Sequence, residues 1–281
     1  MVVLVNYATG KYKKTQHFNS WTGKYIAGFD KVLEYDDSFL DVEFKKKNKE
    51  LLDSKKYRGS GCYIWKPYCI LKALNEIQNG DILFYCDSGT FFCRRMKKIF
   101  EEMQEDIWVS NIPFIEKQFS KRMAFVLLGC DLPEYKETNQ IQSGFIGIRK
   151  TDKTVKFIEK WLEYCENKEL INPDNDDRYG TNDPCFIANR EDQTILSLMC
   201  KKAGIKAHPD PTQYGKQPEE YNRDSRYIMK NPKHDERQKV YIILHRTGNV
   251  DLKICVKQIL VAVLPASISL KVLKIIRREK G

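Results

Sequence analysis

Short apolar runs alternate with longer amphipathic segments along most of the chain. The short runs predict strands at Val2–Tyr7, Lys31–Tyr35, Asp81–Cys86, Trp108–Ile112, Ser143–Ile148 and Val240–Leu244. Apolar residues at helical spacing predict helices at Trp21–Ala27, Tyr68–Ile77, Phe91–Met103, Thr151–Tyr164 and Asp192–Ala203. Strands that alternate with helices are typical of an α/β domain with a largely parallel sheet. We therefore predict a Rossmann-like, mostly parallel sheet flanked by helices.

Polar residues come at the ends of three of the predicted strands. Asn6 and Tyr7 end the first strand, Asp87 follows the third, and His245 follows the last. In open parallel sheets, ligands bind beyond the carboxyl ends of the strands. We therefore expect these three strand ends to meet in one crevice.

The stretch GDILFYCDSG ends a buried strand on Asp87, with Ser88 and Gly89 behind it. A carboxylate there can hold Mg²⁺ or Mn²⁺, which prefer oxygen ligands that include substrate phosphates. The two small residues would let a diphosphate approach the backbone. An Asp-Ser-Gly turn without any ligand is the common alternative.

The stretch YIILHRTGN places His245 directly after a strand, with Arg246 and Gly248 behind it. This pattern suits a metal ligand beside a phosphate clamp. A histidine that simply binds a neighbouring carbonyl group is the alternative.

Two further stretches contain charged residues that could contact a ligand. Asp192 and Gln193 open a predicted helix, where they either suit the helix dipole or touch a sugar in the cleft. In RGSGCYIWKPY, Lys66 could offset phosphate charge and Trp65 could pack on a sugar or base. A core tryptophan beside a surface lysine is the alternative interpretation.

Composition narrows the class of protein. The 281 residues, 42% hydrophobic, suit one large globular domain or one domain with an appendage. Nine scattered cysteines without a C-x-x-C pair are typical of a reduced, cytosolic protein, with neither a disulfide framework nor a zinc site. The first residues also lack the pattern of a secretory signal.

The net charge of +10 is concentrated at the end of the chain. Between Leu252 and Gly281, seven basic residues face one acidic residue, a net charge of +6. The remainder is too weakly basic for a nucleic-acid groove. We therefore divide the chain into a catalytic domain, 1–250, and a basic amphipathic tail, 251–281.

The tail is predicted to lie on a membrane surface. Its uncharged run from Gln258 to Leu270 is 13 residues, shorter than the roughly 20 needed to span a bilayer. Apolar residues on one face and basic ones elsewhere suit an anionic surface, and hence a cytoplasmic protein bound peripherally to the inner face of the cell membrane. Packing on the domain or on a second copy in a homo-oligomer is the alternative.

Taken together, the motifs resemble those of GT-A-type nucleotide-sugar glycosyltransferases, above all the retaining family 8. FYCDSG matches the first half of its Tyr-x-Asp-x-Asp motif, and IQSGFIGI, DQTIL and HRTG match later motifs in the same order. The resemblance spans roughly Val2 to Asn249. The segment GSGCYIWKPY also resembles bacterial capsule and O-antigen glycosyltransferases.

The resemblance implies a role for each matching residue. It implies that the nucleotide and donor sugar contact Asn6, Tyr7, Ala8, Lys66, Asp87, Ser88, Gln142, Ser143, Arg246 and Gly248. It implies that Asp192 and Gln193 lie at the reacting sugar. Asp87 and His245 would hold Mn²⁺ or Mg²⁺.

The implied reaction moves a hexose from a UDP-sugar to a glycan or lipid-linked acceptor, with retention, in surface polysaccharide synthesis. Gly89 departs from the family because it replaces the second acid of the metal motif. The chain could bind the cation more weakly, recruit another ligand, or use Lys66 and Arg246 to offset charge. The same departure favours the alternative of a non-catalytic scaffold with this fold.

Overall fold

The computed structural model describes residues 1–175, 177–230, 238–245, 248–264 and 268. It contains seven strands: β1 (Val2–Tyr7), β2 (Lys31–Tyr35), β3 (Ile82–Cys86), β4 (Thr90–Phe92), β5 (Ile107–Ile115), β6 (Asn139–Arg149) and β7 (Ile242–Leu244). The longer helices are α1 (Lys13–Thr22), α2 (Val42–Lys47), α3 (Trp65–Asn75), α4 (Lys97–Glu102), α5 (Arg122–Leu127), α6 (Asp152–Cys165), α7 (Glu191–Lys202) and α8 (Leu252–Val263). Shorter helical turns lie at Lys49–Leu52, Gly59–Cys62, Glu116–Phe119, Pro133–Lys136, Lys168–Ile171 and Gln213–Lys216.

Five strands form the central sheet in the order β2-β1-β3-β6-β5. β1 is parallel to both β2 and β3, whereas β6 runs antiparallel to β3 and to β5. Four of the five strands therefore share one direction, which confirms the mostly parallel sheet. The reversed β6 carries the middle of its strand, rather than its carboxyl end, to the edge where β3 ends.

Helices and loops cover both faces of this sheet. On one face, α3, α6 and α7 enclose a large apolar cluster that includes the fully buried Trp161. On the other face, the ring of Phe29 packs against the rings of Phe84 and Phe92, with centroid distances of 5.8 and 5.3 Å. Burial of both faces explains why β1 and β3 are continuous apolar runs.

α6 begins with a reciprocal cap. Thr151 accepts a hydrogen bond from the Thr154 backbone, and the Thr154 side chain accepts one from the Thr151 backbone. This reciprocal cap satisfies two N–H groups that the first helical turn leaves without partners.

The predicted helix Phe91–Met103 is wrong in its first half. β4 covers Thr90–Phe92, and α4 begins only at Lys97. The two phenylalanines are buried and pair with β7 in a separate two-stranded sheet. This tertiary pairing overrides the helical spacing of the apolar residues.

The segment predicted as a helix at Trp21–Ala27 is the end of a longer helical unit. α1 begins at Lys13, and a π-helical turn continues it over Gly23–Ala27. Gly23 lies so close to β1 that an added Cβ atom would be 2.4 Å from the Leu4 side chain. The backbone contact explains the glycine at this point.

Among the described residues, no helix is both long enough and apolar enough to cross a membrane. In the tail, the structure describes α8 as far as residue 264, together with residue 268. Most of the amphipathic segment predicted beyond it lies outside the described residues.

Candidate functional site

A cleft of about 780 Å³ opens at the carboxyl ends of β1 and β3. β7 borders it through Leu244, and the backbone of His245 donates a hydrogen bond to the Gly89 carbonyl over 3.2 Å. The three strand ends therefore meet as expected. The structure brings nine of the predicted site residues into the lining: Tyr7, Ala8, Lys66, Asp87, Ser88, Gln142, Ser143, Asp192 and Gln193.

The centre of the cleft is the ammonium group of Lys66, which α3 holds in a buried position. Its Nζ lies 3.0 Å from Oδ2 of Asp192 and 3.5 Å from Oδ1 of Asp87. It also donates to the hydroxyl and carbonyl oxygens of Ser143, over 3.0 and 3.3 Å. Lys66 is thus neither a surface lysine nor a mobile one.

Electrostatics keeps Lys66 charged. Burial alone would lower the pKa of its ammonium group, but Asp192 and Asp87 raise that pKa above its ordinary value. Burial raises the pKa of Asp192, and the positive charge of Lys66 offsets much of this. The 3.0 Å contact between Lys66 and Asp192 thus has the geometry of a buried ion pair.

Asp87 differs from Asp192 in its access to solvent. Its side chain is 45% exposed, against 4% for Asp192. The Tyr85 hydroxyl donates to its Oδ1 over 2.7 Å, which orients the carboxylate. A Cβ atom at Gly144 would approach its Oδ2 to 3.2 Å, so β6 passes very close to this carboxylate.

Gln193 is held at the reacting side of the predicted site by two contacts. Its amide oxygen accepts from the Ser143 backbone over 3.4 Å, and its amide nitrogen donates to Gln140 over 2.8 Å. Gln140 in turn donates to Glu116 over 3.0 Å and accepts from Arg190 over 3.3 Å. A buried polar network thus fixes the orientation of Gln193.

An aromatic pair forms one wall. The rings of Tyr7 and Trp65 stack with centroids 3.9 Å apart, and both line the cleft. The Tyr7 hydroxyl also binds Asp37, and the Trp65 indole donates to the Gly59 carbonyl over 2.8 Å. Because both rings are locked, the wall is preformed.

A salt bridge missed by the sequence analysis closes one side of the cleft. Arg58 binds Glu191 through two parallel hydrogen bonds of 2.7 Å. Glu191 adopts a positive φ of 43°, and Ser60 and Tyr63 on the facing loop also have positive φ values. The two glycines of RGSGCY signalled a special backbone here, but nothing in the sequence showed which acid Arg58 would bind.

Asn6 does not line the cleft. Its side chain is fully buried and donates to Asn19 over 2.8 Å and to Ser20 over 3.0 Å. It also accepts from Gln16 over 3.0 Å. This network fastens α1 to the end of β1 and leaves the lining to Tyr7 and Ala8.

His245 is also absent from the lining. Its ring is buried beside Phe91, with the ring centroids 5.9 Å apart. Burial lowers its pKa below 6.5, so the imidazole is neutral at pH 7. Gly248 lies against Lys11, a residue of the cleft lining. Arg246 lies outside the described residues.

The described residues do not fit the implied metal. Among them, no three His, Cys, Asp or Glu side chains are grouped so that they could hold an ion. Asp87 is the lining carboxylate with appreciable exposure, and it already faces Lys66. We therefore route no chemical step through a metal.

No protein-family model matches the chain, and no curated protein matches it in sequence. The fold is similar to apo mouse xyloside xylosyltransferase 1, with a TM-score of 0.45, 12% identity, and 89% and 98% of the two chains covered. It is similar to the galactosyltransferase LgtC in complex with donor and acceptor sugar analogues (0.45, 14%, 87% and 87%). It is also similar to apo GlyE of Streptococcus pneumoniae TIGR4, a glycosyltransferase (0.46, 9%, 96% and 62%). With TM-scores below 0.5, these similarities say nothing about the activity of this chain, and the function rests on its residues.

Proposed function

We propose that the chain is a glycosyltransferase that moves a hexose from a UDP-sugar to an acceptor hydroxyl, with retention of configuration. One observation supports this most strongly. Asp87, Ser143 and Asp192 come from three separate motifs of the family resemblance, and all lie within 3.5 Å of Lys66 Nζ. Convergence of distant motifs on one charged group inside a cleft is typical of an active site rather than of three unrelated turns.

The placement of charge suits departure of a diphosphate. Negative charge grows on the leaving phosphate in the transition state, and a fixed cation stabilises it without reorganisation. The buried ammonium of Lys66 is such a cation. The stacked rings of Tyr7 and Trp65 offer an apolar wall for the base or ribose.

The state of Asp192 favours retention over inversion. Inversion needs a general base that accepts the acceptor's proton. Asp192 lies 3.0 Å from the Lys66 ammonium, and protonation would break that buried ion pair. Asp192 therefore suits donor-sugar hydroxyls, while Gln193 supports the reacting face.

We place the acceptor in surface polysaccharide synthesis, as a glycan or lipid-linked oligosaccharide, and the protein on the inner surface of a bacterial membrane. α8 supports the membrane position. Its residues Leu252, Val256 and Leu260 form an exposed apolar row, and Lys253 and Lys257 lie next to it. Such a face suits the boundary of an anionic bilayer.

A scaffold of the same fold without activity is the second candidate. The observation that favours it is the incomplete metal-ligand set around Gly89. A scaffold would bind a nucleotide or glycan without breaking the donor.

The test is incubation of the protein with UDP-glucose and UDP-galactose, with release of UDP followed by chromatography. We expect slow hydrolysis of at least one donor, and loss of that hydrolysis in Asp192→Asn. Binding of UDP without release from any UDP-hexose would favour the scaffold. Absence of binding to UDP, GDP and other nucleoside diphosphates would rule out the glycosyltransferase and leave a scaffold that binds a glycan.

A further inference from the structure

We propose that Lys66 is the built-in cation of this cleft, and that the donor diphosphate binds without a divalent metal. This inference rests on the proposed function, because it specifies how the same site holds its donor. It assigns to a protein side chain the charge compensation that the family resemblance assigns to Mn²⁺ or Mg²⁺.

The first support is the geometry around Asp87. Its Oδ1 already accepts from Tyr85 over 2.7 Å and lies 3.5 Å from Lys66 Nζ. Asp192 and the two oxygens of Ser143 hold that ammonium in place. A divalent ion bound to this oxygen would face a fixed like charge, which opposes its binding.

The second support is the net charge of the lining. In a metal-dependent diphosphate site, the cation bridges one or two protein carboxylates and the phosphates. Here the basic lining residues outnumber the acidic ones by five to three: Lys11, Arg58, Lys66, Arg190 and Arg223 against Asp87, Glu191 and Asp192. The cleft therefore attracts an anion without the help of an ion.

The third support is the commitment of the remaining acids. Glu191 is bound on both oxygens by Arg58, and Asp192 is paired with Lys66. Their side chains are only 3% and 4% exposed. Of the described lining carboxylates, Asp87 alone is exposed enough to offer an oxygen to an incoming ion.

The first experiment is calorimetric titration of the full chain with UDP in EDTA and, separately, in excess Mn²⁺. We expect the two Kd values to agree within threefold. Affinity that falls more than tenfold in EDTA, with recovery in Mn²⁺, would overturn the inference and leave the proposed function standing. Absence of binding in both buffers would instead overturn the proposed function.

A gain-of-function variant supplies the positive control. Gly89 does not have a positive φ, so a side chain there does not strain the backbone conformation. We expect Gly89→Asp to gain at least tenfold in Mn²⁺ affinity, measured by electron paramagnetic resonance, whereas Gly89→Asn gains nothing. Wild-type protein that binds Mn²⁺ as tightly as Gly89→Asp would contradict the inference.

A third variant tests Lys66 itself without leaving its partner uncompensated. The double change Lys66→Met with Asp192→Asn removes both charges of the buried pair. We expect UDP binding at least tenfold weaker, with no recovery in Mn²⁺, while Lys66→Arg retains binding. If the folded double variant bound UDP like the wild type, Lys66 would not be the cation.

Discussion

The molecule contains two lysine–carboxylate centres with a buried charge, one around Glu116 and one around Lys66, and they differ in their access to solvent. Glu116 is fully buried and accepts from Lys201 over 2.6 Å, from Ser120 over 2.5 Å, from Gln140 over 3.0 Å, and from Ser197. Its oxygens are saturated by protein donors. The Lys66 centre, in contrast, opens to a cleft and shares one ammonium between two carboxylates.

The comparison of the Glu116 and Lys66 centres shows what distinguishes a structural ion pair from a functional one. Both centres contain a buried charge, so burial does not separate them. The separating quantity is whether each polar atom already has its full set of partners. The saturated Glu116 centre stabilises the fold, whereas the half-exposed carboxylate of Asp87 leaves the Lys66 centre open to a ligand.

The largest effect should follow from breaking the functional centre. Lys66→Met leaves Asp192 charged and buried without its cation, so we expect the free energy of unfolding to fall by about 3–5 kcal/mol. Urea titration measures this loss. Adding Asp192→Asn should restore most of the stability; a double variant as unstable as the single one would show that packing, rather than charge, was lost.

A change at the Glu116 centre should lower the stability of the protein without changing its affinity for UDP. Glu116→Gln weakens the contacts to Lys201 and Ser197, and we expect the free energy of unfolding to fall by about 1–3 kcal/mol. The Kd for UDP should stay within twofold of the wild-type value in calorimetry. A tenfold loss of UDP affinity would erase the distinction between the two centres.

Variants of Arg58 test whether Glu191, the third acid of the lining, has a structural role like that of Glu116. Arg58→Lys loses one of the two parallel hydrogen bonds to Glu191, which we expect to cost about 1 kcal/mol of stability because the pair is partly exposed. Thermal unfolding measures it, with Arg58→Ala as the reference for complete loss. An unchanged melting temperature in both variants would mean that the salt bridge does not contribute to stability.

The smallest effect concerns pH. The pKa of His245 lies below 6.5 in the folded protein because of burial, whereas the unfolded imidazole titrates near 6.5. As pH falls through 6.5, the unfolded state therefore binds the proton first, and the free energy of unfolding decreases down to the folded pKa. His245→Asn should flatten that slope in urea titrations at pH 7 and pH 5.5. A slope that persisted unchanged would assign it to other groups.

The sequence predicted much of the frame and part of the cleft. Strands with apolar runs, such as β1 and β3, were found because burial on both faces leaves an unbroken signal. The first half of Phe91–Met103 was misassigned because pairing with β7, some 150 residues away, cannot be read from local spacing. Nine predicted residues line the cleft: four lie at the ends of β1 and β3, and the other five come from α3, the middle of β6 and α7.

What the sequence could not show is which side chains meet. Asn6 was predicted to contact a ligand because it lies at the end of a strand. Its hydrogen bonds to α1 instead hold its side chain in the core. The role of Lys66 was visible only as one alternative, since its partners lie 21 and 126 positions further along the chain. Pairings at such separations depend on packing, and a single sequence does not report packing.

The separation between Lys66 and Asp192 has a consequence for synthesis. A ribosome delivers the amino-terminal end first, so the sheet strands β1 to β3 emerge well before α7. Until residue 192 arrives, the ammonium of Lys66 has no buried carboxylate partner and favours water. A truncated product that ends before α7 would therefore lack this buried ion pair and one wall of the cleft.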